Sequence, residues 1–167
     1  LLYKDYKVVP WCPRCETALS SHELAQGYED VKDLSITAKF KLTNSASEKF
    51  FQVLGKNPQT MKNFSPGSVF ILAWTTTPWT LPGNMALAVG EDIDYVLVKV
   101  ENDFVILAKE RLAKVAEGHE VLGELKGKDL VGLEYEPLFP YLRNLLQQEG
   151  ESIEKAFKVY SADFVTT

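Results

Sequence analysis

The stretch from Val69 to Val89 constrains this chain more than any other part of it. Val69–Trp74 is a continuous apolar run with β-branched and aromatic residues, the pattern of a strand buried on both faces. It leads into Thr75, Thr76 and Thr77, then into a corner made by Pro78, Trp79, Thr80, Leu81, Pro82, Gly83 and Asn84. Two prolines fix φ and cannot donate to a sheet ladder, so regular pairing should stop there. A second apolar run, Met85–Val89, leaves the corner. The pattern places hydroxyls and an aromatic ring on a stiff loop at the end of a core strand, which is how small-molecule sites are commonly presented.

The rest of the chain surrounds this corner with short strands. Leu34, Ile36, Ala38, Phe40 and Leu42 alternate with polar residues, as in a half-buried strand. Thr43–Ser68 reads as a long connection with one helical turn at most, around Phe50–Leu54. Glu91–Asp94 is a turn before a strand at Tyr95–Val100, and Glu101-Asn102-Asp103 turns a hairpin into Phe104–Ala108. Lys109–Glu117 reads as a short helix with Leu112, Val115 and Ala116 on one face and Gly118 as its stop. Val121–Leu125 and Leu130–Tyr135 read as strands joined around Gly127. Pro137 and Pro140 break the next stretch, Gln147–Glu154 is polar, and Ala156–Tyr160 and Asp163–Thr167 return to strand character. There is no internal repeat. The sum is a mainly β domain with short helices (α+β), closed or nearly closed into a barrel.

At 167 residues, 46% hydrophobic and 25% charged, the chain suits one ordinary globular domain. No apolar run reaches transmembrane length and no signal peptide opens the sequence, so neither a membrane nor export is expected. The chain starts at Leu1 without a methionine and stops in a strand-like run, and so reads as a piece of a longer protein. A net charge of −5 without any basic block argues against an autonomous DNA or RNA binder; with RNA, most of the grip must come from elsewhere.

The two cysteines, Cys12 and Cys15, are too close to staple the fold, which fits a reducing compartment such as the cytoplasm. On a turn they could place two thiolates on one metal ion, but zinc normally takes four ligands. His22 is the nearest candidate for a third, and its plainer reading is a surface residue on a helical turn opened by a Ser20–Glu23 capping box. Two plain thiols and half a zinc site both remain open.

Most catalytic kits are missing: no glycine-rich phosphate loop, no nucleophile elbow, and two isolated histidines. The threonine corner is what remains. Threonine is a poor nucleophile without a base, and is better suited to hydrogen-bonding a substrate or holding a water against a carbonyl. Asn84 could add an amide donor or acceptor. Strand–turn junctions also carry Thr and Pro for purely structural reasons.

Trp74-Thr75-Thr76-Thr77-Pro78-Trp79-Thr80-Leu81-Pro82-Gly83-Asn84 resembles the threonine-rich signature in the editing insertion of isoleucyl-tRNA synthetases. Valyl and leucyl relatives show a looser form, usually with Arg in place of Pro78. Trp11–Ser20, followed by Glu23 and Gln26-Gly27-Tyr28, resembles the start of that insertion, and Leu133–Phe139 resembles the segment after its helix. The resemblance implies an N-terminal knuckle-like segment over residues 1–30 and an editing β-barrel over 31–167. It implies hydrolysis of valine wrongly esterified to the 3′ end of isoleucine tRNA, with valyl-adenylate as a second substrate. A hydrophobic pocket separates side chains differing by one methylene only weakly, and these synthetases are themselves the standard example of a second, hydrolytic sieve.

By motif position, Thr75, Thr76 and Thr77 would line the editing pocket and place the hydrolytic water. Trp79 and Thr80 would contact the substrate, and Asn84 would support the loop or contact the ligand. The partners implied are the tRNA 3′ end and the rest of the synthetase. The editing site itself would need no cofactor, and zinc on Cys12 and Cys15 would require further cysteines from the parent chain. The family also uses a later histidine and an aspartate for the substrate amino group; neither His119 nor Asp163 lies in a matching context. Three other readings stay open: the equivalent editing domain of a valyl- or leucyl-tRNA synthetase, a non-catalytic module binding an amino acid or nucleoside in the same pocket, and a zinc-ribbon interaction domain.

Overall fold

The computed structural model describes residues 3–30, 32, 34–55, 69–116 and 118–166. It separates into two compact units, Leu1–Asp33 and Leu34–Thr167.

In the first unit, β1 (Trp11–Cys12) and β2 (Thr17–Ala18) form a small antiparallel hairpin pairing Trp11 with Ala18 and Cys12 with Thr17. Glu16, at φ 55, turns the chain back, and its N–H reaches the Cys12 carbonyl at 2.9 Å. Helix α1 (Ser21–Ala25) opens with the expected capping box. The Glu23 N–H donates to Ser20 Oγ at 3.3 Å, and the Ser20 N–H donates to Glu23 Oε2 at 2.7 Å. That second bond holds the Glu23 carboxyl below its ordinary range.

In the second unit, β3 (Ile36–Lys41) pairs antiparallel with β4 (Val69–Thr75), with Phe40 opposite Ile71 and Ala38 opposite Ala73. Between them lies α2 (Asn44–Val53), a full helix where the sequence suggested a single turn; residues 56–68 of that connection lie outside the described residues. Thr43 caps it, accepting from the Ala46 N–H at 3.3 Å, and Ala46, Ser47, Phe50 and Phe51 form its buried face. Its intrinsic propensity is poor, so the burial of Phe50 and Phe51 in the core, with Phe51 edge-on to Phe104, is what makes it a helix.

β5 (Ala86–Val89) follows the threonine corner. β6 (Asp94–Val100) and β7 (Asp103–Ala108) form the expected hairpin, turned at Glu101 with φ 55. The helical stretch after β7 is shorter than expected: a 3-10 turn at Lys109–Arg111 and α3 (Leu112–Val115), with Gly118 at φ +76 beyond it and Glu117 outside the described residues. Leu112 and Ala116 face a buried cluster, whereas Val115 is exposed. β8 (Glu120–Lys126) completes a five-stranded sheet of order β3-β4-β7-β6-β8, in which β4 and β7 run parallel.

Burial on both faces belongs to β6 and β7, not to β4. Leu97, Phe104 and Ile106 face the main core, while Val96, Val98, Val105 and Leu107 pack beneath α3. On β4, Val69 and Ile71 are buried, Phe70 and Leu72 are half-buried, and Trp74 is exposed. Among the described residues the outer cover sits over β6 and β7, so β4 is fully covered only from inside. The Lys39 ammonium stands 5.6 Å from the Phe70 ring instead.

The remaining C-terminal elements differ from the alternation read in the sequence. Gly127–Leu130 is a 3-10 turn, and Leu133–Tyr135 contributes single bridges rather than a strand: Tyr135 to Leu42 and Glu134 to Lys158. Tyr141–Gln148 is a helix, α4, which Pro140 leads into rather than breaks. β9 (Lys158–Ser161) pairs parallel with β5, and residues 163–166 form a turn and irregular chain, not a strand.

These bridges carry the wall of the barrel past the formal sheet edge. From β8 the neighbours run through β6, β7, β4, β3, the Leu133–Tyr135 segment and β9 to β5. All seven strands supply side chains to one core around Phe40, Leu97, Ile106 and Val159. Among the described residues no ladder joins β5 to β8; the ring is nearly closed there, where Gly90 meets Gly127.

Candidate functional site

The threonine corner lies where β4 leaves the sheet. Thr75 is its last paired residue, opposite Ile36. Pro78–Gly83 forms a 3-10 turn with Pro78 at its start, the place where a missing N–H costs nothing. The turn is held by hydroxyls. The Thr77 N–H donates to Thr75 Oγ1 at 3.0 Å, and the Thr75 and Thr77 hydroxyls are 3.2 Å apart. Thr80 Oγ1 donates to the Thr77 carbonyl at 2.7 Å and lies 3.4 Å from Thr77 Oγ1. Three hydroxyls thus form a connected row along the corner.

Beside this row is a recess of about 250 Å³ with Phe40 and Leu87 as its apolar floor and Thr75, Thr80 and Asn84 on its wall. Trp74, 67% exposed, stands at its edge. Of the six residues expected at the site, Thr75, Thr80 and Asn84 line the recess. Thr76, Thr77 and Trp79 are exposed on the same corner and do not line it; the tryptophan that borders the recess is Trp74, not Trp79.

Asn84 serves the loop directly. Its Nδ2 donates to the Ala86 carbonyl at 2.9 Å, and its Oδ1 accepts from the Tyr135 hydroxyl at 2.5 Å. Tyr135 is 2% exposed and packs edge-on against Phe40 and Phe157. Burial pushes its phenol well above the ordinary value, so it stays protonated as a donor. Sequence reasoning read Tyr135 as part of a strand and of the Leu133–Phe139 resemblance, with no role at the site. Its signal was a tyrosine amid apolar and acidic neighbours, which is too common to mark a site without the fold.

No titratable side chain lines the recess among the described residues. His119 lies on a loop after α3, its N–H donating to the Ala116 carbonyl, and Asp163 lies in an exposed turn. The recess can therefore hold, orient and hydrogen-bond a small uncharged group, and its own walls bring no acid or base.

In the N-terminal unit the two thiols share one turn. The Cys15 N–H donates to Cys12 Sγ at 3.3 Å. The Cys15 thiol's hydrogen bond holds the Cys12 thiol below its ordinary value, and Cys15 is raised in turn. His22 bonds Gln26 through Nε2 at 3.0 Å. Among the described residues no group of three or more His, Cys, Asp or Glu side chains is placed to hold a metal ion, and Cys12 and Cys15 are two thiols where zinc normally takes four ligands.

Comparison with known proteins bears on the whole chain. No protein-family model matches it. It is 45% identical over 167 residues to the isoleucine–tRNA ligase of Clostridium tetani, covering 99% of this chain and 13% of the ligase. The isoleucine–tRNA ligase of Treponema denticola is 44% identical over 184 residues, covering 100% of this chain and 16% of that ligase. The chain is homologous to a segment of isoleucine–tRNA ligases. It spans about 13% of the length of the first of these relatives. Among solved structures, the P. knowlesi cytosolic leucyl-tRNA synthetase editing domain matches with a TM-score of 0.59 at 14% identity, over 84% of this chain and 56% of that one. The crystal structure of GlLeuRS-CP1 matches with a TM-score of 0.59 at 19% identity, over 80% of this chain and 49% of that chain. The chain thus has the fold of these editing domains, mainly β with short helices, as the sequence implied.

Proposed function

We propose that this chain is the editing segment of an isoleucine–tRNA ligase and takes part in hydrolysing the ester of valine mischarged onto isoleucine tRNA. The observation that supports this most is the hydroxyl row of Thr75, Thr77 and Thr80 running beside a small recess with an apolar floor. An aliphatic side chain can rest on Phe40 and Leu87 while the ester lies against hydroxyls and the Asn84 amide. Water adds to the ester carbonyl carbon, negative charge collects on the carbonyl oxygen, and the C–O bond to the ribose breaks with a proton passing to the leaving oxygen. Threonine hydroxyls suit the first step by fixing a water and the carbonyl in reacting geometry.

The wider reading follows the relatives. The substrate is the 3′ end of a tRNA delivered by the rest of the synthetase, since a chain of net charge −5 has little grip on phosphates itself. Valyl-adenylate is a second substrate of the same pocket. The setting is the cytoplasm, and among the described residues no helix is long and apolar enough to cross a membrane. Cys12 and Cys15 give half a zinc knuckle to the ligase, whose remaining ligands come from beyond this segment.

The lack of a titratable residue on the recess favours a second reading for the segment alone: it binds the aminoacyl-adenosine without turning it over. One pair of measurements separates them. Deacylation of valyl- and isoleucyl-tRNA(Ile) is assayed with the ligase carrying this segment, and a non-hydrolysable valyl-adenosine analogue is titrated into the chain itself. Selective loss of valine by the ligase supports editing. Binding by the chain with no hydrolysis by the ligase supports the binding module, and neither result sinks both.

A further inference from the structure

The exit of the threonine corner is gripped by its neighbours in the wall, the Leu133–Tyr135 segment and the residues leading into β9. The Tyr135 hydroxyl holds Asn84 Oδ1 at 2.5 Å, and the Asn84 amide holds the Ala86 carbonyl at 2.9 Å. Between them, the Phe157 N–H donates to the Met85 carbonyl at 2.6 Å. Tyr135 and Phe157 are tied to each other as well, through the Tyr135 N–H to the Phe157 carbonyl at 2.9 Å and edge-on ring contact. Phe157 holds a φ of 58 while 5% exposed. A bulky residue in the left-handed region is strained and persists only where its surroundings over-determine it, and such strain gathers at functional sites.

The two bonds to Asn84 also decide which end of its amide is which. Nitrogen must face the Ala86 carbonyl, because a carbonyl only accepts, and oxygen must take the phenol proton. One Nδ2 hydrogen is then left over, on a residue that lines the recess. Without the phenol only the Ala86 bond would hold the amide, and a side chain anchored at one end instead of two is free to swing its N–H away from the recess.

We propose that Tyr135 is a positioning residue: it locks Asn84 so that the amide presents an N–H to the acyl oxygen of an aminoacyl ester in the recess. This rests on reading the recess as an ester-hydrolysing site. Asn84 is the group that touches substrate, and its hydrogen bond strengthens as water adds to the carbonyl and charge develops on that oxygen. Tyr135 acts only through Asn84. The phenol stays protonated across ordinary assay pH because burial raises it, so its contribution is a fixed donor rather than a titrating group.

The test is a double-mutant cycle of Tyr135→Phe and Asn84→Ala in the ligase carrying this segment, read by single-turnover deacylation of valyl-tRNA(Ile). Each single change is expected to lower the rate about tenfold, and the double change to lower it no further than Asn84→Ala alone. A merely structural tyrosine would instead multiply its loss onto that of Asn84→Ala, and that result overturns the proposal. So does a Tyr135→Phe rate within about twofold of wild type. A second readout does not depend on hydrolysis. The side-chain amide signal of Asn84 in this chain, assigned by its loss in Asn84→Ala, should shift in Tyr135→Phe, and an unmoved signal overturns the lock. If that signal shifts but the wild-type ligase does not deacylate, the hydrolytic reading of the recess has failed and the proposed role fails with it.

Discussion

At the scale of single residues, the site depends on hydroxyls that hold one another before they hold any ligand. Thr75 Oγ1 takes the Thr77 N–H at 3.0 Å and sits 3.2 Å from the Thr77 hydroxyl, so it orders the corner and faces the recess at once. Thr75→Val keeps the side chain's shape and removes that oxygen. The expected outcome is a stability loss of about 1 kcal/mol, the usual worth of one such bond, with a fall in valyl-tRNA(Ile) deacylation of at least about tenfold. Thermal melting alongside single-turnover hydrolysis checks both parts. A rate unchanged by the substitution would mean that the hydroxyl row is scaffolding and that the ester is held elsewhere. Asn84 shows the opposite limit of what one residue type can disclose. Its sequence context allowed a loop-supporting or a ligand-contacting role, and its bonds to Ala86 and Tyr135 show the first while its place on the recess leaves room for the second.

At the scale of elements, adjacent antiparallel strands are stitched at their wet edges by ion pairs that are individually weak. Lys126 Nζ lies 2.7 Å from Asp94 Oδ1 across the β6–β8 pair, and it also donates to the Asp92 carbonyl at 3.0 Å. The Lys126 hydrogen bond holds the Asp94 carboxyl below its ordinary value. A depressed carboxyl stabilises the fold above its unfolded value, and that contribution disappears as pH falls through the folded value. Asp94→Asn should therefore lower the melting temperature slightly near neutral pH, with the gap to wild type closing as acid protonates Asp94. A gap that persists unchanged in acid would show that the pair does not act through charge. Elements also explain what the sequence could and could not disclose. β3, β6 and β7 were legible because their apolar alternation or runs coincide with the faces they bury. α2 was not, because its first turns are rich in Asn, Ser and Glu, and it is the burial of Phe50 and Phe51 in the core, Phe51 against Phe104, that stabilises it. α4 was hidden by reading Pro140 as a breaker when it stands at a helix start. The threonine corner itself was legible to the residue, whereas its buttress, Tyr135, lies 51 positions away and becomes visible only when β3 and the Leu133–Tyr135 segment meet.

At the scale of the whole molecule, the barrel wall depends on two glycines at its seam. A Cβ built on Gly127 would lie 2.0 Å from the Gly90 carbonyl oxygen and 3.0 Å from the Tyr95 ring. Backbone cannot yield as a flexible side chain does, so the close approach that brings the end of β5 beside the end of β8 requires glycine at position 127. Gly127 also donates its N–H to the Ile93 carbonyl at 3.0 Å, and Lys128 donates to the Glu91 carbonyl at 3.1 Å, so the same crossing anchors the turn between β5 and β6. Gly127→Ala should therefore part the seam and cost about 1–3 kcal/mol or more, as over-packing does. For a domain of this size each kcal/mol lowers the melting temperature by about 2–4 °C. Gly123→Ala is the matched control on β8, because its Cβ meets the two methyls of Leu54, Cδ2 at 3.1 Å and Cδ1 at 3.8 Å, a side-chain end that can rotate away. A much larger loss from Gly127→Ala than from Gly123→Ala locates the constraint at the closure. Equal losses would mean that β5 and β8 separate freely, and that the core is held by the five-stranded sheet alone.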